Sequence, residues 1–123
     1  MKMEDVFIEI MSLEPDLDIA EFMIRKKGRF RFPIYLNENS NNTLIDDLEL
    51  SARAKNCLEE AGFRTVGDLF ERLNKREDLR RLRNCGDKTM DEIMEQLFCY
   101  QYSQIKEENK LTYIRRIIDL NIR

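Results

Sequence analysis

Histidine is absent from this 123-residue chain, and cysteine occurs only three times, at Cys57, Cys85 and Cys99. Without histidine, and with no two cysteines in a C-x-x-C spacing, neither a structural zinc site nor any other metal site is expected. The chain also lacks the residue that most often serves as general base, and its cysteines have no obvious base beside them. We therefore predict that it is not an enzyme, and that it has no cofactor and no small-molecule substrate.

Long apolar runs are lacking as well. No segment is long enough to span a bilayer, and the N-terminal MKMEDVFIEIM carries acidic residues where a signal peptide has a clean apolar region. The sequence therefore predicts a soluble protein of a reducing compartment, the cytoplasm, without a membrane partner.

A strong net charge is also missing. The formal net charge is −3 although 37% of the residues are charged, so the overall balance gives no sign of nucleic-acid binding. Any DNA-binding face would have to arise by segregating the charges on the folded surface. Hydrophobic residues make up 42% of the chain, which is enough for one modest core.

The stretch Ile45–Phe98 predicts four short helices. Ser51 is a good N-cap for the first helix, and Gly62 is placed to end it. Thr65 begins the second with a capping-box pattern, and Asn74 begins the third. The residues expected to be buried in this block are Leu50, Leu58, Leu69, Phe70, Leu82, Ile93 and Leu97.

The starts of the first and last of these helices present polar residues. The apolar face of the first leaves Arg53, Asn56 and Cys57 on the other side. Gly86 and Asp87 open the last helix, which runs from about residue 88 toward residue 98. A helix N-terminus attracts anions, and a lysine there sharpens the preference for phosphate. The residues of this last helix expected to point outward are Lys88, Thr89 and Glu92.

The flanking regions are less regular. Residues 3–11 predict a short amphipathic helix, and the alternation in Arg29–Leu36 favours an extended strand that Pro33 keeps at an edge. The basic and aromatic residues around this strand fit either a nucleic-acid arm or, the favoured alternative, a solvated strand edge. Asn37–Asn42 predicts a polar linker. Beyond residue 98, one amphipathic helix is expected, as a cap on the core or as a docking surface; its apolar stripe is Leu111, Ile114, Ile118 and Ile122.

Two long motif blocks, IDDLELSARAKNCL followed by VGDL, and NCGDKTMDEI, resemble the C-terminal domain of the bacterial RNA polymerase alpha subunit. The resemblance implies a mainly α fold, a compact bundle of short helices with helix-hairpin-helix elements. It divides the sequence into an N-terminal appendage (1–44), an alpha-type domain (45–98) and a C-terminal helical extension (99–123). Because 44 residues cannot hold the assembly domain of the alpha subunit, a free-standing bacterial relative is expected.

The resemblance also implies a function, namely binding of A·T-rich double-stranded DNA in the minor groove, with contacts to RNA polymerase, sigma factor or regulators. The alternative is a protein-interaction module of the transcription machinery that does not bind DNA. Sigma-type contacts are implied for Asp47 and Glu49, although acids ahead of a helix also stabilise its dipole. The DNA-contacting positions carried over are Arg53, Asn56, Cys57, Asn84, Gly86, Lys88, Thr89 and Glu92.

Two departures from the family pattern bear on this site. The segment between Gly67 and Asn84 is about two residues longer than the family's, and Arg83 stands where the family often has proline. Both changes are expected to shift the third helix and the loop after it. Cys57 also has a plain alternative role, because a free thiol is more often a packing residue than a site.

Overall fold

A computed structural model of the protein describes residues 3–19, 21–22, 31–35, 37–73 and 85–121. These residues contain two 3-10 turns, Ile45–Asp47 and Glu107–Asn109, and no β-strand, only an isolated bridge between Leu44 and Thr65. The predicted mainly α class is therefore confirmed. The six α-helices within the described residues are α1 (Met3–Leu13), α2 (Glu38–Asn42), α3 (Ala52–Glu60), α4 (Val66–Leu73), α5 (Asp87–Ser103) and α6 (Lys110–Asn121).

The protein forms two compact units that do not follow sequence order. One unit combines Met1–Pro33 with Leu97–Arg123, and the other is Ile34–Gln96. Below, these are called the terminal unit and the central unit. The sequence analysis instead predicted three consecutive segments, 1–44, 45–98 and 99–123, with the first boundary in the polar segment Asn37–Asn42. Which of those fragments folds by itself stays a prediction.

Local capping signals fix the helix ends of the central unit. Ser51 is the N-cap of α3, where its Oγ accepts a hydrogen bond from the Ala54 N–H at 3.2 Å. Gly62 follows the end of α3 with φ +88°, the left-handed conformation that glycine adopts without strain. At the start of α4, Thr65 Oγ1 accepts from the Asp68 N–H and Asp68 Oδ2 accepts from the Thr65 N–H, both at 3.1 Å. All three signals were predicted.

The segment predicted to be a polar linker forms α2 instead. Asn37 and Ser40 make a reciprocal capping box, so a helix of five polar residues is held by its own side chains. This helix packs against α4 at Gly67. A Cβ atom on Gly67 would lie 3.2 Å from the Asn41 Cα and 3.3 Å from the Ser40 carbonyl oxygen, so only glycine allows so close an approach. Hydrophobic periodicity does not reveal such a helix.

The core of the central unit contains most of the residues expected there. Leu82 and the predicted helix from Asn74 lie outside the described residues. The predicted core residues of the 45–98 block that the structure describes as buried are Leu50, Leu58, Leu69, Phe70 and Ile93 in the central unit and Leu97 in the terminal unit.

In the terminal unit, α6 buries one face. That this helix caps the core of the 45–98 block stays a prediction. The predicted single helix beyond residue 98 is in fact the end of α5, a 3-10 turn and α6. The predicted stripe was partly wrong, because Leu111 and Ile118 are only half-buried and polar side chains take part instead. The residues of α6 that are buried are Lys110, Tyr113, Ile114, Ile117 and Asn121.

Lys110 is charged and yet only 3% exposed. Its Nζ donates to Glu9 Oε1 at 2.6 Å and to Glu107 Oε1 at 2.8 Å, and it lies 4.7 Å from the centre of the Tyr102 ring. Burial lowers the pKa of Lys110, but the hydrogen bonds to Glu107 and Glu9 outweigh that effect and the pKa is raised overall. Burial, and then the hydrogen bond to Glu9, raises the pKa of the Tyr102 hydroxyl. The lysine therefore stays charged and joins α1 to α6.

The predicted strand at Arg29–Leu36 is not a strand in its described part, residues 31–35. The Asn121 side chain takes the place of a neighbouring strand, because its Oδ1 accepts from the Arg31 N–H at 2.8 Å and its Nδ2 donates to the Arg31 carbonyl at 2.7 Å. The Tyr113 hydroxyl donates to the Pro33 carbonyl at 2.8 Å. The basic cluster ahead of Arg31 lies outside the described residues.

Within the part of the sequence that the structure describes, no helix is long and apolar enough to cross a membrane.

Shortening a core side chain of the central unit tests the packing described above. Leu58→Ala and Ile93→Ala should each lower the free energy of unfolding by roughly 2–5 kcal/mol, because both side chains are fully buried. Urea denaturation measures the loss. The matched control is Leu44→Ala, since the Leu44 side chain is 49% exposed and its loss should stay within about 0.5 kcal/mol. Equal effects at Leu44 and Leu58 would contradict the core assignment.

Replacing Asn121 tests its role beside residue 31. Asn121→Leu keeps a buried side chain of similar size but removes three hydrogen bonds, two to Arg31 and one from Nδ2 to the Ile117 carbonyl. We expect the free energy of unfolding to fall by roughly 1–3 kcal/mol in urea denaturation. Leu120→Ala, at a 46% exposed neighbour, is the control. A leucine variant as stable as the parent would show that these bonds add nothing.

Candidate nucleic-acid interface

A carboxylate from α5 caps the start of α3. The Ser51 N–H donates to Glu92 Oε1 at 2.6 Å, and Ser51 Oγ donates to Glu92 Oε2 at 3.0 Å. In a local capping box, a glutamate three residues after the N-cap accepts the first of these bonds, but that position in α3 is Ala54. Glu92, 41 residues away in sequence, takes its place. The start of α3 therefore lies against the second turn of α5.

Two thiols lie on these same segments. Cys57 is buried in the second turn of α3, and Cys85 is half-buried just before α5. Burial, and then the neighbouring Cys57 thiol, raises the pKa of Cys85 to about 12.

Two candidate DNA-contacting residues lie near the Ser51–Glu92 contact in sequence. Arg53 is two residues after Ser51, and Lys88 is four residues before Glu92, which correspond to about 3 Å and 6 Å of helical rise. Both side chains are exposed, as are Asn56 and Gly86. We call these four residues, Arg53, Asn56, Gly86 and Lys88, the candidate face.

The remaining candidate residues do not all point outward as expected. Cys57 is 4% exposed and Thr89 is 7% exposed, so the expectation that they face away from the core was wrong. Other segments of the chain cover Cys57, which helical spacing within α3 could not indicate. Glu92 is half-buried against Ser51. Asn84 lies outside the described residues.

The two helix starts differ in what they offer to an anion. The Glu92 carboxylate already occupies the position at which an external phosphate would meet the N–H groups at the start of α3. At the start of α5, a Cβ atom built on Gly86 would meet no atom of the described residues within 4 Å. Packing against that part of the chain therefore does not require glycine at this position.

Residues 36–98 match the family of C-terminal domains of the bacterial RNA polymerase alpha subunit. The protein belongs to this family. The match covers the whole central unit apart from its first residues, including both helix starts of the candidate face. The alpha C-terminal domain is a non-catalytic domain of RNA polymerase, and this protein is an alpha C-terminal-domain-like transcription module.

Curated relatives are alpha subunits of DNA-directed RNA polymerase. The protein from Thermotoga petrophila is 34% identical over 97 residues, which cover 79% of this chain and 26% of the relative. The protein from Thermotoga maritima is 45% identical over 62 residues, which cover 49% of this chain and 18% of the relative. The protein from the fern Adiantum capillus-veneris is 47% identical over 57 residues, covering 46% and 16%.

This chain therefore spans about a quarter or less of the relatives that it matches. No solved structure matches it.

The acids that the alpha family resemblance assigns to sigma contacts lie before α3. Asp47 ends the 3-10 turn and Glu49 follows it, and both are exposed. The turn is held to α3 by Lys55, whose Nζ donates to the Asp46 carbonyl at 3.1 Å. Neither acid accepts one of the hydrogen bonds described for the start of α3. The acceptors of those bonds are the Glu92 carboxylate and Ser51 Oγ.

Metal ligands are missing from this surface. Among residues 3–19, 21–22, 31–35, 37–73 and 85–121, no group of three or more cysteine, aspartate or glutamate side chains is arranged to hold a metal ion.

Sequence reasoning missed two features of this alpha-type site, the bond between Ser51 and Glu92 and the position of Cys85. The N-cap role of Ser51 was predicted, but its bond to Glu92 was not, because nothing local to α3 indicates a partner on another helix. Cys85 was noted only in the cysteine count. The one available signal was its place directly before Gly86 in the motif NCGDKTMDEI.

Acidic residues surround Glu92 on α5. Burial raises the pKa of the Glu95 carboxyl, and the nearby charges of Asp91 and Glu92 raise it further. A raised pKa in the folded state means that Glu95 favours folding below its ordinary value of 4.5, and that this contribution is lost as the pH rises through the raised value. At neutral pH the charged Glu95 therefore opposes folding.

Glu95→Gln should accordingly raise the midpoint of urea unfolding at pH 7, because glutamine is never charged. The gain should shrink as the pH falls toward 4.5 and vanish below it, which a series of unfolding curves at different pH values measures. The control is Glu59→Gln in the same unit, at an exposed position, with a change within about 0.5 kcal/mol. A gain of equal size at acidic and neutral pH would contradict the electrostatic cause.

Proposed function

We propose that this protein binds A·T-rich double-stranded DNA in the minor groove through the candidate face. The observation that carries the proposal is the Ser51–Glu92 contact, which joins the start of α3, where Arg53 lies, to α5, where Lys88 lies. Membership of the alpha C-terminal domain family supports it. Such a module would act on bacterial DNA in the cytoplasm.

Arg53 reads the groove in this proposal. A·T-rich tracts have a narrow minor groove with an enhanced negative potential, which attracts an inserted arginine. Arg53 is exposed in the first turn of α3, three residues before Asn56 and hence on the same side of the helix. The Asn56 amide both donates and accepts, so it pairs with base edges or sugar oxygens beside the arginine.

The start of α5 holds the phosphate backbone. Its N–H groups and the Lys88 ammonium favour an anion, and the open space at Gly86 lets a phosphate approach the main chain. Glu92 acts as a positioning residue, because its carboxylate is bonded to Ser51. Thr89 and Cys57 are buried in the helices that carry this surface, and Asn84 is kept as a contact that the family resemblance implies.

Binding by a single copy is expected to be weak. The candidate face carries two positive side chains, and each phosphate neutralised contributes a slope of about −0.9 to the dependence of log K on log salt. Tethering to a larger assembly raises the effective concentration of such a domain. We propose that RNA polymerase, sigma factor or a regulator supplies the tether, and that Asp47 and Glu49 face it.

Two charge deletions separate groove reading from phosphate binding. Arg53→Ala should abolish the preference for A·T-rich over G·C-rich duplex, because it removes the group in the groove. Lys88→Ala should weaken binding to all duplexes and reduce the salt slope by about one unit, because it removes a phosphate contact. Titrations of labelled duplexes at two or more salt concentrations measure both effects.

The matched control is Arg64→Ala, which removes an exposed arginine of the same unit beyond the far end of α3. It should leave the A·T preference unchanged. If Arg53→Ala and Lys88→Ala both bound as the parent does, binding through the candidate face would be ruled out. If the parent bound no duplex even at low salt, DNA binding itself would be ruled out, and the alternative, a protein-interaction module of the transcription machinery that does not bind DNA, would replace it.

A further inference from the structure

One helix of the terminal unit carries a concentration of exposed apolar side chains. Of the six large hydrophobic residues that are exposed in the described part of the chain, three lie on α1, namely Ile8, Met11 and Leu13. Ile8 is 68% exposed and Met11 is 50% exposed, and their three-residue spacing makes them neighbours on the same side of the helix. Single exposed apolar residues are normal, but adjoining ones on one helix face point to an interaction surface.

The opposite side of α1 is fixed within the terminal unit. Val6 and Ile10 are fully buried. Glu9 Oε1 accepts hydrogen bonds from Lys110 Nζ at 2.6 Å and from the Tyr102 hydroxyl at 3.1 Å. The helix cannot rotate to bury its exposed apolar side without breaking these bonds and exposing the buried one. The exposed side is therefore a preformed surface.

The charge around this exposed side is of one sign. Glu4 and Asp5 are exposed and lie four and three residues before Ile8, the spacings at which side chains are neighbours on a helix. We call Glu4, Asp5, Ile8 and Met11 the α1 face. Residues 3–19 contain no lysine or arginine. The acidic residues of this stretch are Glu4, Asp5, Glu9, Glu14, Asp16 and Asp18.

We propose that the α1 face docks a basic amphipathic helix of a partner protein. Apolar side chains spaced by three or four residues on that helix cover Ile8 and Met11. Its lysine or arginine side chains pair with Glu4 and Asp5, so the charges of the two surfaces are complementary. The α1 face shares no residue with the candidate face, and the proposal does not depend on DNA binding.

The acidic character of the α1 face disfavours other occupants. A second copy of the chain would bring two acidic surfaces together, and like charges repel each other. Helices that lie on a membrane surface carry lysine and arginine on their polar side, and α1 has neither. The phosphates of a nucleic acid would also be repelled. A basic protein segment is the occupant that the charge favours.

The test is a titration of the full-length protein against a labelled peptide of about 18 leucine and lysine residues, with the leucines on one helical face. Fluorescence anisotropy measures binding. The control peptide has the same composition, with the leucines distributed around the helix. We expect saturable binding of the amphipathic peptide that weakens as salt is added, because exposed charge pairs are screened. The control peptide should bind about tenfold more weakly or less, because it lacks an apolar face.

Two double variants separate the apolar and the charged contributions. Ile8→Gln with Met11→Gln should weaken binding of the amphipathic peptide about tenfold or more, because the apolar contact is lost. Glu4→Gln with Asp5→Asn should weaken binding at low salt and reduce its salt dependence. All four positions are exposed, so the midpoint of urea unfolding should stay that of the parent.

The matched control is Leu120→Gln with Asp119→Asn, which changes an exposed apolar and an exposed acidic side chain of α6. It should bind the peptide as the parent does. No binding by the parent at low salt, equal binding of the two peptides, or unchanged binding by the Ile8 and Met11 double variant would overturn the proposal. So would self-association of the parent in sedimentation, or its binding to phosphatidylcholine–phosphatidylglycerol vesicles, if the same double variant abolished it.

Discussion

The double hydrogen bond from Ser51 to the Glu92 carboxylate determines how the central unit presents its surface. Without it, the N-terminal N–H of α3 would lack the acceptor that a local glutamate supplies in other capped helices, because Ala54 stands at that position. A hydrogen bond to a charged acceptor is among the stronger ones in proteins. The same contact closes the start of α3 to outside anions and leaves the start of α5 for that role.

The terminal unit depends on polar side chains in its interior. Lys110 holds Glu9 of α1 and Glu107, and Asn121 pairs with the main chain of Arg31 as a neighbouring strand would. Among the described residues, no buried side-chain nitrogen or oxygen lacks a hydrogen-bond partner. Buried charges and amides are tolerated only when paired in this way, so these contacts specify which segments of the two ends of the sequence meet.

The candidate face carries little charge for a DNA-binding surface. Arg53 and Lys88 stand against Asp91, Glu92 and Glu95 on α5, and the Glu92 charge is engaged by Ser51. Such a surface favours a short contact that combines groove width with one phosphate position over a long electrostatic one. That balance is the reason for proposing that the domain binds DNA while tethered.

The sequence alone determined the features that depend on neighbours within one or two helical turns. These include the caps at Ser51 and Thr65, the left-handed turn at Gly62 and the core positions such as Leu58 and Ile93, because capping and helical periodicity are local. Only the tertiary structure decided which partner Glu92 has, that Cys57 and Thr89 are buried, that polar residues 38–42 form a helix and that Asn121 replaces a strand. Each of these depends on a contact between segments distant in sequence, and a residue's spacing along its own helix carries no information about what the next helix brings against it.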